Sequence, residues 1–137
     1  MTEVVPGRVW QGDRVAAFAE ATGREWTGKT PLFRAVLCPA FNVRLAYDEE
    51  LAVLILPVND HDDVLPIVFD LAVSFHRTCG PTFVHCFGGR NRSVAFAAAL
   101  AVAEGRTLDQ AFETMREEPT PELRQALRRW VAQRGAR

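Results

Sequence analysis

The chain has 137 residues, of which 48% are apolar, and a formal net charge of −1, values that fit one globular domain with a substantial core. The near-neutral charge disfavours a nucleic-acid binder held by bulk charge, so no nucleic-acid partner is expected. Three cysteines, in a chain that starts with neither a basic nor an apolar export segment, disfavour a disulfide framework and indicate a reducing cytoplasm. The most apolar run, 94–103, is too short to span a bilayer. We therefore expect a single domain over residues 1–137.

The first third of the chain predicts strands separated by a helix. Arg8–Gly12 has the pattern of a short strand that ends in a turn. Asp13 suits the N-cap of a helix over residues 15–19. Leu32–Leu37 is predicted to be the next strand, and it runs into Cys38.

A cluster of carboxylates follows the next apolar segment. Leu51–Leu56 is continuously apolar, which predicts a strand buried on both faces of a parallel sheet. Shortly after it come Asp60, Asp62 and Asp63, with His61 between the first two. Asp62 and Asp63 suit the N-cap of the following helix, and His61 is expected to be a solvated loop residue.

A helix and a buried strand come next. Val64–Arg77 shows apolar side chains along one face, and Pro66 falls in its first turn, where proline is tolerated. We expect His76 of this helix at the surface or at the rim of the core. Thr82–Val84 is short, β-branched and aromatic, which indicates a buried strand.

The chain between Cys86 and Ser93 changes from strand to glycine-bearing loop to helix. Gly88 and Gly89 let the backbone approach a ligand closely, and Arg92 opens a helix dense in alanine. Backbone N–H groups at such a helix start bind a phosphate-like dianion. The same field lowers the pKa of a cysteine from about 8.5 to roughly 3.5–7.5, which predicts a thiolate at Cys86. Arg92 suits two phosphate oxygens, and Ser93 suits donation to the sulfur.

The rest of the chain is predicted to be helical. The helix that begins at Arg92 is expected to end at Gly105, Thr107–Gln110 has capping-box spacing, and Thr120 with Pro121 begins the last helix. The last helix has an apolar stripe at helical spacing: Leu123, Ala126, Leu127, Trp130 and Val131. No CxxC or HExxH pattern occurs, so neither a metal nor another cofactor is implied.

His85-Cys86, five intervening residues and Arg92-Ser93, with Gly89 third after the cysteine, resemble the signature loop of the cysteine-dependent protein tyrosine phosphatase superfamily. The chain is most similar in size to its compact dual-specificity branch. The resemblance implies an α/β fold with a mostly parallel four- to five-stranded sheet flanked by helices. It also implies a phosphatase domain that needs no cofactor.

The resemblance implies catalysis in two steps through a cysteinyl-phosphate. Cys86 attacks phosphorus, while Arg92 and the loop amides hold the oxygens. Ser93 stabilises the departing thiolate, and His85 orients the loop and supports the low pKa of the cysteine. The remaining loop residues are expected to surround the substrate: Phe87, Gly88, Gly89, Arg90 and Asn91.

Members of this family use a loop aspartate as general acid, which contributes about 10²–10⁴ in rate. Asp60 is our assignment, because Asn-Asp after an apolar strand is similar to the dual-specificity pattern; Asp63 and Asp62 remain alternatives. Cys38 resembles the second cysteine with which some family members protect the catalytic one as a disulfide. The alternative for Cys38 is a small buried apolar side chain.

A phosphorylated protein, on tyrosine, serine or threonine, is the favoured substrate, and a small phosphoester is also compatible. Arg90 resembles a position of phosphatases that act on phosphoinositides or other polyanions, and Asn91-Arg92 resembles RNA 5′-triphosphatases. Two other classes stay open, a phosphate-binding module without turnover and a rhodanese-type sulfurtransferase. The sequence indicates no membrane span and no particular oligomeric state.

Overall fold

The structure is a computed structural model that describes residues 1–13, 32–40, 47, 50–87 and 90–135, which form one five-stranded sheet and four helices. The strands are β1 (Thr2–Val5), β2 (Val9–Asp13), β3 (Ala35–Cys38), β4 (Ala52–Ile55) and β5 (Thr82–Cys86). The helices are α1 (Pro66–Cys79), α2 (Arg92–Ala103), α3 (Leu108–Met115) and α4 (Pro121–Gly135). None of these helices combines the length and apolarity needed to cross a bilayer.

The strand order is β1-β2-β5-β3-β4, in which β1 is antiparallel to β2 and every other neighbouring pair is parallel. The predicted α/β fold with a mostly parallel sheet is therefore confirmed. Because parallel strands share one carboxyl edge, β2, β3 and β5 bring Asp13, Cys38 and Cys86 to the same edge of the sheet. The site lies at that edge.

Two predictions about the strands need correction. The sequence pattern did not predict β1, and the prediction that residues 51–56 are buried on both faces is wrong. β4 is the edge strand, with Val53 37% and Ile55 53% exposed, because the described helices cover only one of its faces. The helix expected at residues 15–19 lies outside the described residues.

Helix α2 forms the centre of the core because its sequence is apolar on every side. All side chains from 92 to 101 are buried. Phe96 packs against Phe69 of α1, with ring centroids 4.9 Å apart, and Phe69 packs against Trp130 of α4 at 5.5 Å. This packing fixes the N-terminus of α2, and with it Arg92 and Ser93, relative to the sheet.

The prediction that His76 lies at the rim is wrong, because this side chain is fully buried. Its Nε2 lies 2.7 Å from Glu104 Oε1, and its Nδ1 lies 2.8 Å from Thr82 Oγ1. Arg8 Nε donates to the same Glu104 oxygen at 3.0 Å. Burial lowers the pKa of His76, so its neutral ring donates to the carboxylate and accepts from Thr82. The network joins α1, β5, the end of α2 and the turn between β1 and β2.

The helix starts show one confirmed and one incorrect prediction. Thr107 and Gln110 form the capping box, with reciprocal bonds of 2.9 and 3.1 Å. Asp62 and Asp63 do not cap α1, whose N-cap is Leu65 without a side-chain bond. The helix begins two residues later than the apolar pattern predicts, which leaves both carboxylates too far from its first N–H groups.

Candidate active site

The candidate nucleophile lies where β5 ends. Cys86 is 2% exposed, and its backbone is in register with Asp13 of the parallel strand β2. Six residues later Arg92 begins α2, and the backbone N–H groups and dipole at a helix N-terminus favour anions. Gly88 and Gly89 lie outside the described residues, and their assigned role stays a prediction.

A hydroxyl group contacts the cysteine sulfur. Ser93 is fully buried, and its Oγ lies 3.3 Å from Cys86 Sγ in hydrogen-bond contact. Gln11 Nε2, from the neighbouring strand β2, donates to the same Oγ at 2.9 Å. From the sequence we expected the contact of Ser93 with the sulfur, but we assigned no role to Gln11. A polar residue inside the otherwise apolar start of β2 was the signal that this position has a function.

Arg92 joins the loop that carries the carboxylates to the signature loop. Its guanidinium is buried, and Nη1 donates to the carbonyl of Val58 at 3.1 Å. Its Nε lies 3.1 Å from Asp60 Oδ1. Asp60 is about half exposed, so the carboxylate faces both the arginine and the open mouth of the site.

The two other carboxylates of this segment are engaged elsewhere. Asp62 Oδ2 accepts from the backbone N–H of Asn59 at 2.8 Å, which closes the local turn. Asp63 Oδ1 accepts from Arg129 of α4 at 2.7 Å. His61 is exposed and lies 3.4 Å from Glu122, in agreement with a solvated loop residue. Among these three described carboxylates, Asp60 is the one that contacts Arg92.

Hydrogen bonds from two other segments of the chain hold the Asp60 segment in place. Asn91 Nδ2 donates to Asp60 Oδ1 at 2.8 Å, and Asn91 Oδ1 accepts from the N–H of Thr120 at 2.6 Å. Thr120 Oγ1 donates to the carbonyl of Asp60 at 2.6 Å. From the sequence we predicted that Asn91 binds substrate and that Thr120 begins the last helix. In the structure, both side chains bind the Asp60 segment, a contact that sequence spacing does not reveal.

Replacing Thr120 with valine is expected to lower kcat roughly tenfold to a hundredfold, with KM nearly unchanged. Valine keeps the shape but removes the donor to the Asp60 carbonyl, so the carboxylate is held less accurately. Thr114→Val is the matched control, because Thr114 Oγ1 donates to Gln110 O on the exposed surface of α3. Steady-state kinetics with a phosphoester are the measurement, and equal kcat values for the two variants would refute the positioning role.

His85 is fully buried behind the cysteine, and its Nε2 lies 2.6 Å from the hydroxyl of Tyr47. Burial lowers the pKa of His85 to about 4, so its ring is neutral at pH 7. A neutral ring adds no positive charge beside Cys86. Its structural contribution is the bond to Tyr47, which anchors the end of β5.

The low pKa of His85 predicts that stability falls as the pH falls. The pKa of a histidine is near 6.5 in an unfolded chain, whereas that of His85 in the folded protein is about 4. This pKa difference corresponds to roughly 3 kcal/mol of unfolding free energy. This contribution is present above pH 6.5 and is lost as the pH falls to about 4. Urea unfolding between pH 7.5 and 4.5 should therefore show a shallower decline for His85→Gln than for the wild type. His61→Gln, at an exposed site, should keep the full decline; a full decline in His85→Gln would contradict the assignment.

The second cysteine at this edge of the sheet lies close to the first. Cys38 is fully buried and forms one small cluster with Ala40 and Cys86. Burial raises the pKa of the Cys38 thiol, and its Sγ lies 3.8 Å from the carbonyl of Ala40. Cys38 is therefore expected to be a protonated thiol next to the candidate nucleophile.

The rim of the site is polar and open. Phe87 is 48% exposed, and Arg90 is also exposed. Arg90 borders a polar cavity of about 320 Å³ on the β2 side, shared with Gln11 and Asp13. Within the described residues, no group of three histidine, cysteine, aspartate or glutamate side chains is placed to hold a metal ion.

Comparison with known proteins agrees with this architecture. No protein-family model matches the chain. The chain is 31% identical over 115 residues to Dual specificity protein phosphatase 1 of Arabidopsis thaliana, an alignment that covers 80% of this chain and 58% of that protein. The chain thus spans a little over half the length of this curated relative.

Solved structures share the fold across nearly the whole chain. Human DUSP28 has a TM-score of 0.77 at 22% identity, with 99% of each chain covered. A mouse putative dual specificity phosphatase complexed with zinc tungstate has a TM-score of 0.76 at 23% identity, with 98% of this chain and 88% of that chain covered. The chain is thus similar in sequence to a dual specificity protein phosphatase and shares the fold of solved dual specificity phosphatases, in agreement with the resemblance of its signature loop to the cysteine-dependent protein tyrosine phosphatase superfamily.

Proposed function

We propose that residues 1–137 act as one phosphatase domain that hydrolyses phosphoric monoesters, most of all on phosphorylated proteins. One observation carries the proposal: Asp60 Oδ1 lies 3.1 Å from Arg92 Nε, and Arg92 opens the helix whose N-terminus faces Cys86. A nucleophile, an oxyanion-binding arginine and a carboxylic acid are thus within reach of one phosphoryl group. This combination is what in-line displacement at phosphorus requires.

In the first step the Cys86 thiolate attacks phosphorus, and an S–P bond forms as the P–O bond to the leaving group breaks. The loop N–H groups and the fork of Arg92 hold the phosphoryl oxygens, whose charge is shared between donors at the helix start. Protonated Asp60 gives its proton to the leaving oxygen. Asp60 is about half exposed, so its carboxyl group is accessible to a substrate that approaches from solvent.

In the second step water attacks the cysteinyl-phosphate. Asp60, now a carboxylate, takes the proton from the water as the new O–P bond forms and the S–P bond breaks. The electron pair of that bond returns to sulfur, and Ser93 Oγ, which lies 3.3 Å from that sulfur, is close enough to donate its hydrogen to the new thiolate. Inorganic phosphate leaves, and the thiolate is regenerated.

The open rim supports a substrate presented on a protein surface. Phe87, next to the candidate nucleophile, is 48% exposed, so this part of the rim is accessible from the protein surface. The curated relative is named a dual specificity protein phosphatase, which favours phosphotyrosine and phosphoserine or phosphothreonine for this chain as well. The exposed cation of Arg90 favours the second candidate, a phosphoinositide or another polyanionic phosphate.

The substrate class is tested by measuring kcat/KM on phosphotyrosine peptides, phosphothreonine peptides and inositol phosphates, with wild type and Arg90→Ala. Activity on peptides that survives Arg90→Ala supports the protein phosphatase. Activity confined to inositol phosphates and lost in Arg90→Ala supports the second candidate. Vanadate binding without hydrolysis would instead indicate a phosphate-binding module, and thiocyanate formed from thiosulfate and cyanide would indicate a sulfurtransferase.

We also propose that Cys38 protects Cys86 from irreversible oxidation. Peroxide converts a thiolate to a sulfenic acid, and a neighbouring thiol then displaces water to form a disulfide. Their shared buried cluster supports a Cys38–Cys86 bond. Peptide mapping after peroxide treatment should find this bond in the wild type and in Cys79→Ser, with activity restored by dithiothreitol. In Cys38→Ser, Cys86 should overoxidise; overoxidation in the wild type without the bond would leave Cys38 as a buried apolar side chain.

A further inference from the structure

Gln11 is a buried amide in a place where the strand otherwise presents apolar side chains. It is 5% exposed, on the same face of β2 as fully buried Val9, and it lies beside Val84 in the sheet register. Burying an amide costs free energy unless its polar atoms are hydrogen-bonded. Its Nε2 donates to Ser93 Oγ at 2.9 Å, across a separation of 82 residues in sequence.

The contact restricts what the Ser93 hydroxyl can do. A serine hydroxyl has one hydrogen to donate and two lone pairs with which to accept. The amide N–H of Gln11 occupies one lone pair, so the hydroxyl hydrogen points away from Gln11. As a neutral thiol, Cys86 Sγ donates to Oγ across 3.3 Å. Once ionised, the sulfur has no hydrogen and can only accept, so the Ser93 hydroxyl hydrogen is then available to it.

We propose that Gln11 is a positioning residue that turns the Ser93 hydroxyl hydrogen toward the Cys86 sulfur. The proposal rests on the proposed function, in which that sulfur is the nucleophile and later the leaving group. Gln11 acts through Ser93 and does not touch the phosphoryl group. Donation by the amide also polarises the serine O–H bond, which strengthens its bond to the thiolate.

The largest effect falls on the second chemical step. There the S–P bond breaks, its electron pair moves to sulfur, and the water oxygen becomes bonded to phosphorus while Asp60 receives the proton. The pre-oriented Ser93 hydrogen meets the growing negative charge on sulfur. Loss of this orientation should slow hydrolysis of the cysteinyl-phosphate more than its formation, and should leave substrate binding unchanged.

Two nearly isosteric variants test whether the role of Gln11 depends on its N–H donor or only on the shape of its side chain. Gln11→Met keeps the length but has no donor, and Gln11→Glu offers only acceptors, so it draws the Ser93 hydrogen away from sulfur. The pH dependence of iodoacetamide alkylation at Cys86 measures the thiol pKa without any turnover. We expect this pKa to rise by roughly half a unit to one unit in Gln11→Met, and by more in Gln11→Glu.

Ser93→Ala is the control that tests whether Gln11 acts on the sulfur through Ser93. If Gln11 acts through Ser93, Gln11→Met should shift the alkylation profile in the wild-type background and leave it unchanged in Ser93→Ala. Rapid-quench kinetics with p-nitrophenyl phosphate should show a lower rate after the burst, with KM lowered together with kcat and kcat/KM nearly unchanged. Urea unfolding confirms that each variant is folded, and Gln11→Glu replaces Gln11→Met if the latter is not.

Equal alkylation profiles in the wild type and Gln11→Glu would overturn the proposal, as would an equal effect of Gln11→Met with and without Ser93. Because alkylation reports the sulfur directly, these results are obtained even if the wild type hydrolyses no phosphoester. A wild type that is inert toward phosphoesters but shows the expected alkylation shifts would refute the proposed function and leave the role of Gln11 intact.

Discussion

Cys86→Ser is expected to lower hydrolysis of p-nitrophenyl phosphate by roughly 10⁴-fold or more while vanadate and phosphate still bind. A serine hydroxyl is not ionised at neutral pH, even at a helix N-terminus, so the nucleophile is lost. The proposed anion site consists of backbone N–H groups and of Arg92 at the start of α2, which the exchange of sulfur for oxygen leaves in place. Turnover kinetics and calorimetric titration with vanadate measure the two effects separately.

Cys79→Ser is the matched control, because Cys79 lies at the end of α1, away from the carboxyl edge of the sheet, and has no assigned role. Its activity should equal that of the wild type. Substantial turnover by Cys86→Ser would contradict the nucleophile assignment. Loss of vanadate binding together with turnover would contradict the expectation that the anion site survives the substitution, and would show damage to the loop.

Asp60→Asn is expected to lower kcat by about 10²–10⁴ for substrates with poor leaving groups. Asparagine has nearly the same shape and can still contact Asn91 through its oxygen, but it cannot supply a proton. The limb of the pH–rate profile that reports the protonated acid should disappear. An activated phenol needs little protonation, so the loss should be smaller for p-nitrophenyl phosphate than for an alkyl phosphate.

Asp62→Asn and Asp63→Asn provide the controls. Their carboxylates bind Asn59 and Arg129 rather than the signature loop, so we expect near wild-type kcat and at most modest losses of stability. If kcat falls in Asp63→Asn or Asp62→Asn as far as is expected for Asp60→Asn, the general acid is that residue and not Asp60. A pH profile of Asp60→Asn that matches the wild type on an alkyl phosphate would reject Asp60.

The sequence alone was sufficient where the chemistry is local. Cys86, Arg92 and Ser93 lie in one continuous segment, in which a strand, a loop and an alanine-rich helix follow from propensity and glycine content. The mostly parallel sheet was expected from the resemblance of the signature loop, and the strand order confirms it. The capping box of Thr107 and Gln110 was likewise readable, because both partners lie within one turn of helix.

Features that depend on contacts between distant segments could be assigned only from the folded structure. His76 has the sequence setting of a rim residue, yet Thr82 and Glu104 provide partners that make its burial possible. Nothing in the spacing of 60–63 selects one acid, whereas the side chains of Arg92 and Asn91 contact Asp60 directly.

The predictions of the family resemblance, of Cys86 as nucleophile and of an anion-binding loop needed only the sequence, because the residues that carry them lie within nine consecutive positions from His85 to Ser93. The structure alone revealed the supporting contacts of Thr120 and Gln11, which are 60 and 82 residues from the groups they bind. Propensity and periodicity describe only neighbours along a chain. The orientation of a hydroxyl or a carboxylate depends on strand register and helix packing, which the whole fold sets.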